Sequence, residues 1–179
     1  MSTMISRLTL KHRIMLVAGL LFVLLLSWYI ISLNSDTRIS RELKAMPQGS
    51  IQITNDEGRN ITLQVRIADT NEARTAHFKK SGVQTIQDNI ILMTYTSDMS
   101  TRHNVQNVKA PLDMGFFRAD GTLVNTAATQ VGSSATYGPI TGTENRYRYV
   151  IVAPEGFFQK NGITANGGAL LQVSTLRRL

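Results

Sequence analysis

The sequence contains no cysteine among its 179 residues. Disulfide bonds, thiolate metal sites and a lipid anchor on a cysteine are therefore excluded, and cysteine usage leaves the redox compartment open. Histidine is also scarce, because His12, His77 and His103 lie far apart in the chain. Metal sites need clustered ligands, so the sequence predicts no metal site and no bound cofactor.

Common catalytic and nucleotide-binding motifs are missing as well. No serine lies in a Gly-x-Ser-x-Gly elbow, and the glycine-rich residues 162–168 lack the Lys-Ser/Thr ending of a phosphate-binding loop. The net charge of +7 includes Arg7, Lys11 and Arg13 near the N-terminus, and most other basic residues are scattered. We therefore expect neither enzymatic activity nor binding to nucleic acid.

One uncharged stretch, residues 14–33, dominates the N-terminal part of the sequence. It is apolar all round, unlike most core helices, and as a helix it would span about 30 Å, the thickness of a bilayer's hydrocarbon core. Trp28 and Tyr29 lie near its end, where aromatic rings favour lipid headgroups. A cleaved signal peptide usually has a shorter apolar region and a small-x-small site, which residues 34–38 do not offer. We therefore expect an uncleaved transmembrane helix in contact with the lipid bilayer.

The segments that flank this helix suggest its orientation. Residues 1–13 and residues 34–44 carry equal numbers of basic residues, but only the first segment is free of acidic ones. A short, purely basic leader has the form of a signal anchor. We predict a cytoplasmic leader (1–13), a helix that crosses the inner membrane once (14–33), a stalk (34–49) and an exported, periplasmic domain (50–179).

The remainder of the chain consists of strand patterns separated by turns. Residues 50–54 and 60–68 alternate between apolar and polar side chains around a turn, which predicts a β-hairpin. Asp69 and Glu72 have capping-box spacing, so we predict a helix over residues 71–80. Further strands are predicted at residues 90–96, 112–117, 122–126, 147–152 and 169–175. The pattern indicates a mainly β fold, an antiparallel β-sandwich or barrel with one or two short helices.

Asp113 is the most informative polar residue of this domain. It lies in a predicted strand between Leu112 and Met114, where a carboxylate needs a partner. We expect Asn107 or Arg118 to be that partner. Two roles remain open: a structural hydrogen-bond acceptor that holds the preceding turn, or a carboxylate that binds a ligand or handles protons.

Six further residues are candidates for contact with a partner. Two lie on the apolar helix and four in a predicted strand: Trp28, Tyr29, Arg146, Tyr147, Arg148 and Tyr149. Arginine and aromatic residues are frequent anchors of interfaces. The ordinary interpretation of the four-residue stretch is a strand with one solvated side.

Four groups of residues follow one another in the order and spacing of a known family. They are Ile67-Ala68-Asp69-Thr70-x-Glu72-x-Arg74, Asn107-x-x-x-Pro111-Leu112-Asp113-Met114-x-Phe116, Ala119-Asp120-Gly121-x-Leu123-Val124, and Tyr149-Val150-Ile151-Val152 with Gly156 and Gly162-Ile163. In these groups the chain resembles the DUF192 family over about residues 61–173, as a divergent member with an N-terminal transmembrane anchor. The resemblance implies a compact β-sandwich or barrel, often exported, with no established enzymatic activity.

The chain departs from the family pattern at three places. Residues 104–108 stand where the family has Trp-Met followed by Lys-Asn-Thr, residues 77–79 replace Gly-Leu-Met, and Arg118 replaces an acid. A pocket lined by that tryptophan and those acids would be largely lost here. The departures therefore favour a role in contact rather than in chemistry.

We expect a non-catalytic, membrane-anchored accessory subunit. Its helix would pack among other spans, and its periplasmic domain would contact other subunits of a larger membrane complex. Topology alone suggests photosynthetic or respiratory assemblies as hosts. The alternative is a membrane-tethered module that binds a small ligand or a glycan through the loops at residues 97–107 and 132–145.

Overall fold

The computed structural model describes residues 10–139 and 145–179 of the chain. Most of the predicted leader (residues 1–9) and part of the predicted loop after residue 131 (residues 140–144) lie outside the described residues. The chain divides into two compact units, residues 1–36 and residues 37–179.

The first unit contains helix α1 (Leu10–Asp36). Its segment Ile14–Ile31 has a mean hydropathy of 2.7, and none of that segment is buried. Trp28 and Tyr29 are 69% and 59% exposed. The helix is long and apolar enough to cross a membrane, a property that membrane anchors and signal sequences share.

The second unit begins earlier than the predicted domain boundary. Helix α2 (Arg41–Ala45) starts at Ser40, whose hydroxyl accepts a hydrogen bond from the Leu43 backbone N–H at 3.2 Å. Leu43 and Met46 are buried in the domain core. The prediction of a separate stalk over residues 34–49 is therefore wrong from Ser40 onward, because the apolar side chains of this segment face the core rather than solvent.

Seven strands form one sheet: β1 (Gln48–Thr54), β2 (Asn60–Ala68), β3 (Ile91–Met99), β5 (Leu112–Phe117), β6 (Leu123–Ala128), β8 (Tyr147–Pro154) and β9 (Leu170–Arg178). Their order across the sheet is β6-β5-β8-β3-β2-β1-β9. The two short strands β4 (His103–Asn104) and β7 (Thr136–Tyr137) form a separate pair. All neighbours are antiparallel except β2 and β3, which are parallel. The predicted mainly β fold with short helices is confirmed. The predicted hairpin is β1 and β2, in which Ile51 pairs with Leu63.

The parallel pair requires a crossover between β2 and β3. Helices α3 (Asn71–Ala76) and α4 (Val83–Gln87) lie in this connection. The single helix predicted over residues 71–80 is therefore too long, because the chain leaves helical geometry at His77, whose φ is 26°. The hydroxyl of Thr70, rather than the predicted Asp69, caps α3 by accepting a backbone hydrogen bond at 3.2 Å.

The two ends of the sheet meet and close it. A β-bridge joins Thr122, just before β6, to Leu170 in β9. The Leu171 N–H also donates to the Gly121 carbonyl at 2.8 Å. The sheet is therefore a barrel that is joined at this corner. The short helix α5 (Phe157–Lys160) follows β8 in the chain and contacts β5.

Apolar side chains pack on both faces of the sheet. One cluster draws residues from six strands and so fills the barrel; it includes Ile53, Ile67, Leu92, Phe117 and Leu171. The other cluster covers the outer face with side chains from the helices and from the segment after β4; it includes Leu43, Phe78, Ile86, Val105 and Val108. Strand β5 contributes to both clusters because successive side chains point to opposite faces.

Candidate functional site

Asp113 lies on the inward face of β5, at the end of the barrel next to α5. Its residue is only 8% exposed, and its Oδ2 accepts a hydrogen bond from the Phe158 backbone N–H at 3.4 Å. Burial raises the pKa of this carboxyl group and nearby Glu155 adds to the increase, whereas backbone N–H groups of residues 156–158 oppose it. The carboxylate thus holds the turn that leads from β8 into α5, which is a structural role.

The structure does not bring Asn107 and Arg118 to Asp113. Asn107 is exposed in a turn with a φ of 65°, whereas Arg118 follows the opposite end of β5 and donates from Nη1 to the Thr122 hydroxyl at 3.2 Å. Five residues of extended strand separate the α-carbons of Asp113 and Arg118 by roughly 16 Å. The expected partners are therefore wrong, and the partner observed is the backbone of Phe158.

A cavity of about 420 Å³ opens beside Asp113. Its lining includes Asp113 and Glu155, three consecutive residues of β6 (126–128) and the segment 163–165. We call it the seam cavity, because it lies between chain segments that follow and precede the bridge closing the barrel. Sequence reasoning identified Asp113 but missed Glu155, because the pairing of β5 with β8 that brings the two residues together joins segments about 40 residues apart and leaves no local pattern.

The four residues Arg146 to Tyr149 do not form one contact strip. Tyr147 is fully buried and Tyr149 packs against the barrel core, so Tyr147 cannot serve as an exposed anchor. The Arg148 guanidinium forms an ion pair with Asp98 at 2.8 Å. Arg146 is exposed and lines a surface pocket of about 250 Å³ together with Arg118. The sequence thus predicted the solvated arginine side of the strand, and the structure assigns the tyrosines to the interior.

Tyr147 is the centre of a second polar arrangement, which we call the tyrosine–histidine cluster and which comprises Tyr95, His103 and Tyr147. The Tyr147 hydroxyl donates to the Thr101 carbonyl at 2.6 Å and lies 2.9 Å from His103 Nε2. Since the only hydroxyl proton is used at Thr101, His103 Nε2 carries a proton and donates to the Tyr147 oxygen. The Arg74 guanidinium lies 4.6 Å from the centre of the Tyr95 ring.

Burial keeps the two histidines of the domain neutral. It lowers the pKa of His103 to about 4, with nearby Arg74 adding to the decrease. It likewise lowers the pKa of His77 to about 4, although the Asn104 carbonyl, 3.4 Å from His77 Nε2, favours the charged form. Burial raises the pKa of Tyr95 and of Tyr147. Neither histidine is poised to exchange protons near neutral pH.

The two loops proposed for ligand binding do lie together, because β4 and β7 pair His103 with Tyr137 and Asn104 with Thr136. Val105 is buried in the outer cluster, and Met99 and Tyr137 pack against that cluster. The described parts of these loops therefore cover the core. Among residues 10–139 and 145–179, no group of three or more His, Asp or Glu side chains is placed to hold a metal ion.

Comparison with known proteins gives the chain a family. The sequence pattern of the DUF192 family, described as uncharacterized ACR, matches residues 51–169. A comparison with curated protein sequences finds no match.

Two solved structures share the fold. One, described as a candidate transcription regulator from Sinorhizobium meliloti 1021, has 19% identity and a TM-score of 0.61, with 74% of this chain and 95% of that chain covered. The other, a protein of unknown function from Novosphingobium aromaticivorans DSM 12444, has 15% identity and a TM-score of 0.58, with 75% of this chain and 97% of that chain covered. At these identities the likeness concerns the fold alone. The family match extends over most of the β-domain, and the chain belongs to the DUF192 family.

Proposed function

We propose that the protein is a membrane-anchored, non-catalytic accessory subunit whose β-domain lies outside the cytoplasm and contacts a larger membrane complex. The observation that carries the proposal is the exposure of α1. Every large apolar side chain of this helix from Ile14 to Ile31 is at least 49% exposed. A continuous apolar surface of this kind requires lipid or another protein to cover it.

The geometry of the β-domain supports a role in binding rather than in catalysis. The carboxylate of Asp113 is held by a backbone N–H, and the Tyr147 hydroxyl is held by the Thr101 carbonyl. The ring of His77 is buried, that of His103 is half-buried, and both are neutral. General acid–base catalysis needs groups that titrate near the working pH and reach a substrate. These side chains instead stabilise the fold.

Co-purification from native membranes tests the proposal. The full chain, tagged after Leu179, would be extracted in a mild detergent and the proteins that accompany it quantified. We expect a fixed set of membrane proteins in constant ratio to the tagged chain. A monodisperse single chain without companions, under conditions that keep known complexes of the same membrane intact, would contradict the proposal.

A matched variant identifies which unit makes the contact. Residues 14–31 would be replaced by an unrelated apolar helix of equal length, which preserves anchoring but changes the helix surface. Retention of the partners would assign the contact to the β-domain, as proposed. Their loss would assign it to α1 and contradict a contact made by the domain.

Anchoring and orientation need separate measurements. The N-terminal sequence of the mature protein should include residues 14–33, whereas cleavage of this segment would identify it as a signal sequence. A reporter fused after Leu179 should be active only outside the cytoplasm. Activity inside the cytoplasm would reverse the proposed orientation.

A second candidate function is favoured by the seam cavity. At about 420 Å³ it has the size of a small-molecule site and combines an apolar lining with a few polar groups. On this alternative the anchored domain binds a small ligand or a glycan. Equilibrium dialysis of the full chain in detergent against a metabolite mixture would recover the ligand, and recovery equal to that of empty micelles would exclude it.

A further inference from the structure

Two Asn-Gly pairs lie close together in the chain, at residues 161–162 and 166–167. This dipeptide is especially reactive in asparagine deamidation, because glycine has no side chain to hinder attack of its backbone nitrogen on the preceding side-chain amide. The reaction requires freedom of the asparagine side chain and of the peptide bond that follows it. The two pairs differ in this freedom.

The first pair is held on both sides of its peptide bond. Asn161 is half-buried, and its Nδ2 donates to the Phe157 carbonyl at 2.8 Å. The Asn161 carbonyl accepts a hydrogen bond from Asn55 Nδ2 at 2.9 Å. The Gly162 carbonyl accepts one from the Asp56 N–H at 3.1 Å. Rotation of the Asn161 amide toward the Gly162 nitrogen would break hydrogen bonds that stabilise the folded turn.

The second pair lacks these restraints. Asn166 and Gly167 are both exposed. Within the described residues 10–139 and 145–179, no group forms a hydrogen bond with the Asn166 side chain. The Gly167 N–H donates to the Thr164 carbonyl at 3.1 Å, but a backbone hydrogen bond in an exposed turn opens at little cost. The Gly162 N–H makes the same kind of bond to Gln159, so this contact does not distinguish the two pairs.

We propose that Asn166 is a site of spontaneous deamidation, whereas the fold protects Asn161. The deprotonated nitrogen of Gly167 attacks the side-chain amide carbon of Asn166. A nitrogen–carbon bond forms, the side-chain carbon–nitrogen bond breaks, and the amide nitrogen leaves as ammonia with the proton that Gly167 gave up. The resulting cyclic imide then adds water and opens at either carbonyl, which leaves aspartate or isoaspartate at position 166. Water is the only co-reactant.

The product would carry a negative charge beside a carboxylate that holds this turn. Asp56 Oδ2 accepts hydrogen bonds from the backbone N–H and the hydroxyl of Thr164, both at 2.8 Å. The same carboxylate packs so closely on Gly167 that there is no room for a methyl group on that residue. Isoaspartate lengthens the backbone at this tight contact, and either product repels Asp56. Deamidation therefore weakens the hold of Asp56 on Thr164.

The modified turn adjoins the wall of the seam cavity, which includes Ile163, Thr164 and Ala165. Ageing of the protein would thus alter this wall without any change in sequence or partner. The site follows from the chemistry of the turn and is independent of the accessory role proposed above, so either proposal can fail without the other.

Prolonged incubation of the full chain in detergent, at neutral and at mildly alkaline pH, tests the site. Peptide mass spectrometry follows each asparagine through the mass increase that accompanies replacement of the amide nitrogen by oxygen. We expect Asn166 to convert at least about tenfold faster than Asn161, the effect of one hydrogen bond that must first break. Conversion should accelerate with pH, because the attacking nitrogen must lose its proton. Equal conversion at the two positions, or none at Asn166, would overturn the proposal.

The same chain unfolded in urea is the matched control, because it retains both Asn-Gly pairs and loses the hydrogen bonds that hold the first. The two asparagines should then convert at similar rates. A preference for Asn166 that persists in the unfolded chain would show that local sequence sets the difference, and would overturn the protection assigned to the fold.

Two variants test the consequence for the turn. Asn166→Asp reproduces the aspartate product, and Asn166→Gln keeps a neutral amide that deamidates far more slowly. We expect a lower urea midpoint for Asn166→Asp than for Asn166→Gln, and no such difference when Asp56→Asn is also present. Equal midpoints in the two single variants would refute the repulsion between position 166 and Asp56.

Discussion

Acidification should destabilise the β-domain through His77 and His103. Both histidines have a pKa of about 4 in the folded domain, against 6.5 for the free side chain. The unfolded chain therefore binds more protons between these values, and stability falls as the pH falls from about 6.5 toward 4. Above about pH 6.5 both states are neutral at these residues, and the full stability is present.

The magnitude follows from the two pKa values. One pKa unit corresponds to about 1.4 kcal/mol. Each histidine therefore lowers the free energy of unfolding by about 2 kcal/mol at pH 5, and by about 3 kcal/mol at a pH low enough to protonate it in the folded domain as well. Together they should remove about 4 kcal/mol at pH 5, a large part of the 5–15 kcal/mol typical of a domain. The raised pKa of Asp113 opposes this loss of stability, because the folded domain takes up a proton at this carboxyl group more readily than the unfolded chain does as the pH falls.

Urea denaturation of the full chain in detergent at pH 7.5 and pH 5 measures this loss. The single tryptophan, Trp28, and one of the five tyrosines, Tyr29, lie in α1. The other four tyrosines lie in the β-domain, so the change in the near-ultraviolet tyrosine signal on unfolding reports on that domain. The variants His77→Gln and His103→Gln should each recover about half of the difference between the two pH values. His12→Gln, which changes the remaining histidine, is the matched control. The same pH dependence in the double variant as in the parent chain would refute the reasoning.

Three substitutions test the packing of the β-domain by the same denaturation assay. Gly115→Ala should destabilise it by about 1–3 kcal/mol, because the new methyl group would collide with the Phe158 ring, whose Cε1 lies 2.8 Å away; a cost below 0.5 kcal/mol would show that α5 moves freely. Tyr147→Phe should cost about 1 kcal/mol by removing the hydrogen bond from the buried tyrosine ring to the Thr101 carbonyl, and no change would mean that water replaces the hydroxyl. Ser40→Ala should cost about 1 kcal/mol through loss of the α2 cap, whereas a neutral result would support the predicted stalk.

Local patterns of the sequence were sufficient for much of the fold. Strict alternation over residues 60–68 specified strand β2 and its hairpin, because a strand with one buried face has a period of two. The apolar run that forms α1 was equally clear. The stalk was mistaken because Leu43 and Met46 become core residues only when α2 packs on the sheet. Tertiary contacts of this kind leave no local signal.

The candidate site was harder to predict than the fold. Asp113 stood out as a charge within an apolar strand, and the structure places it beside a cavity. Its partner, the Phe158 N–H, is 45 residues away in sequence and depends on the path of the chain after β8. Tyr147 is only a candidate interface residue in the sequence, because residue type alone does not reveal which side of a strand is covered.

The pairing of β1 with β9 has a consequence for biosynthesis. Gly49 lies opposite Arg178, and Thr54 lies opposite Leu170. The nascent domain therefore cannot complete its sheet until β9 has been translated, because β1 lacks one of its two neighbouring strands before then. On the proposal that the domain is exported, this delay would keep the chain unfolded during its passage through a secretion channel.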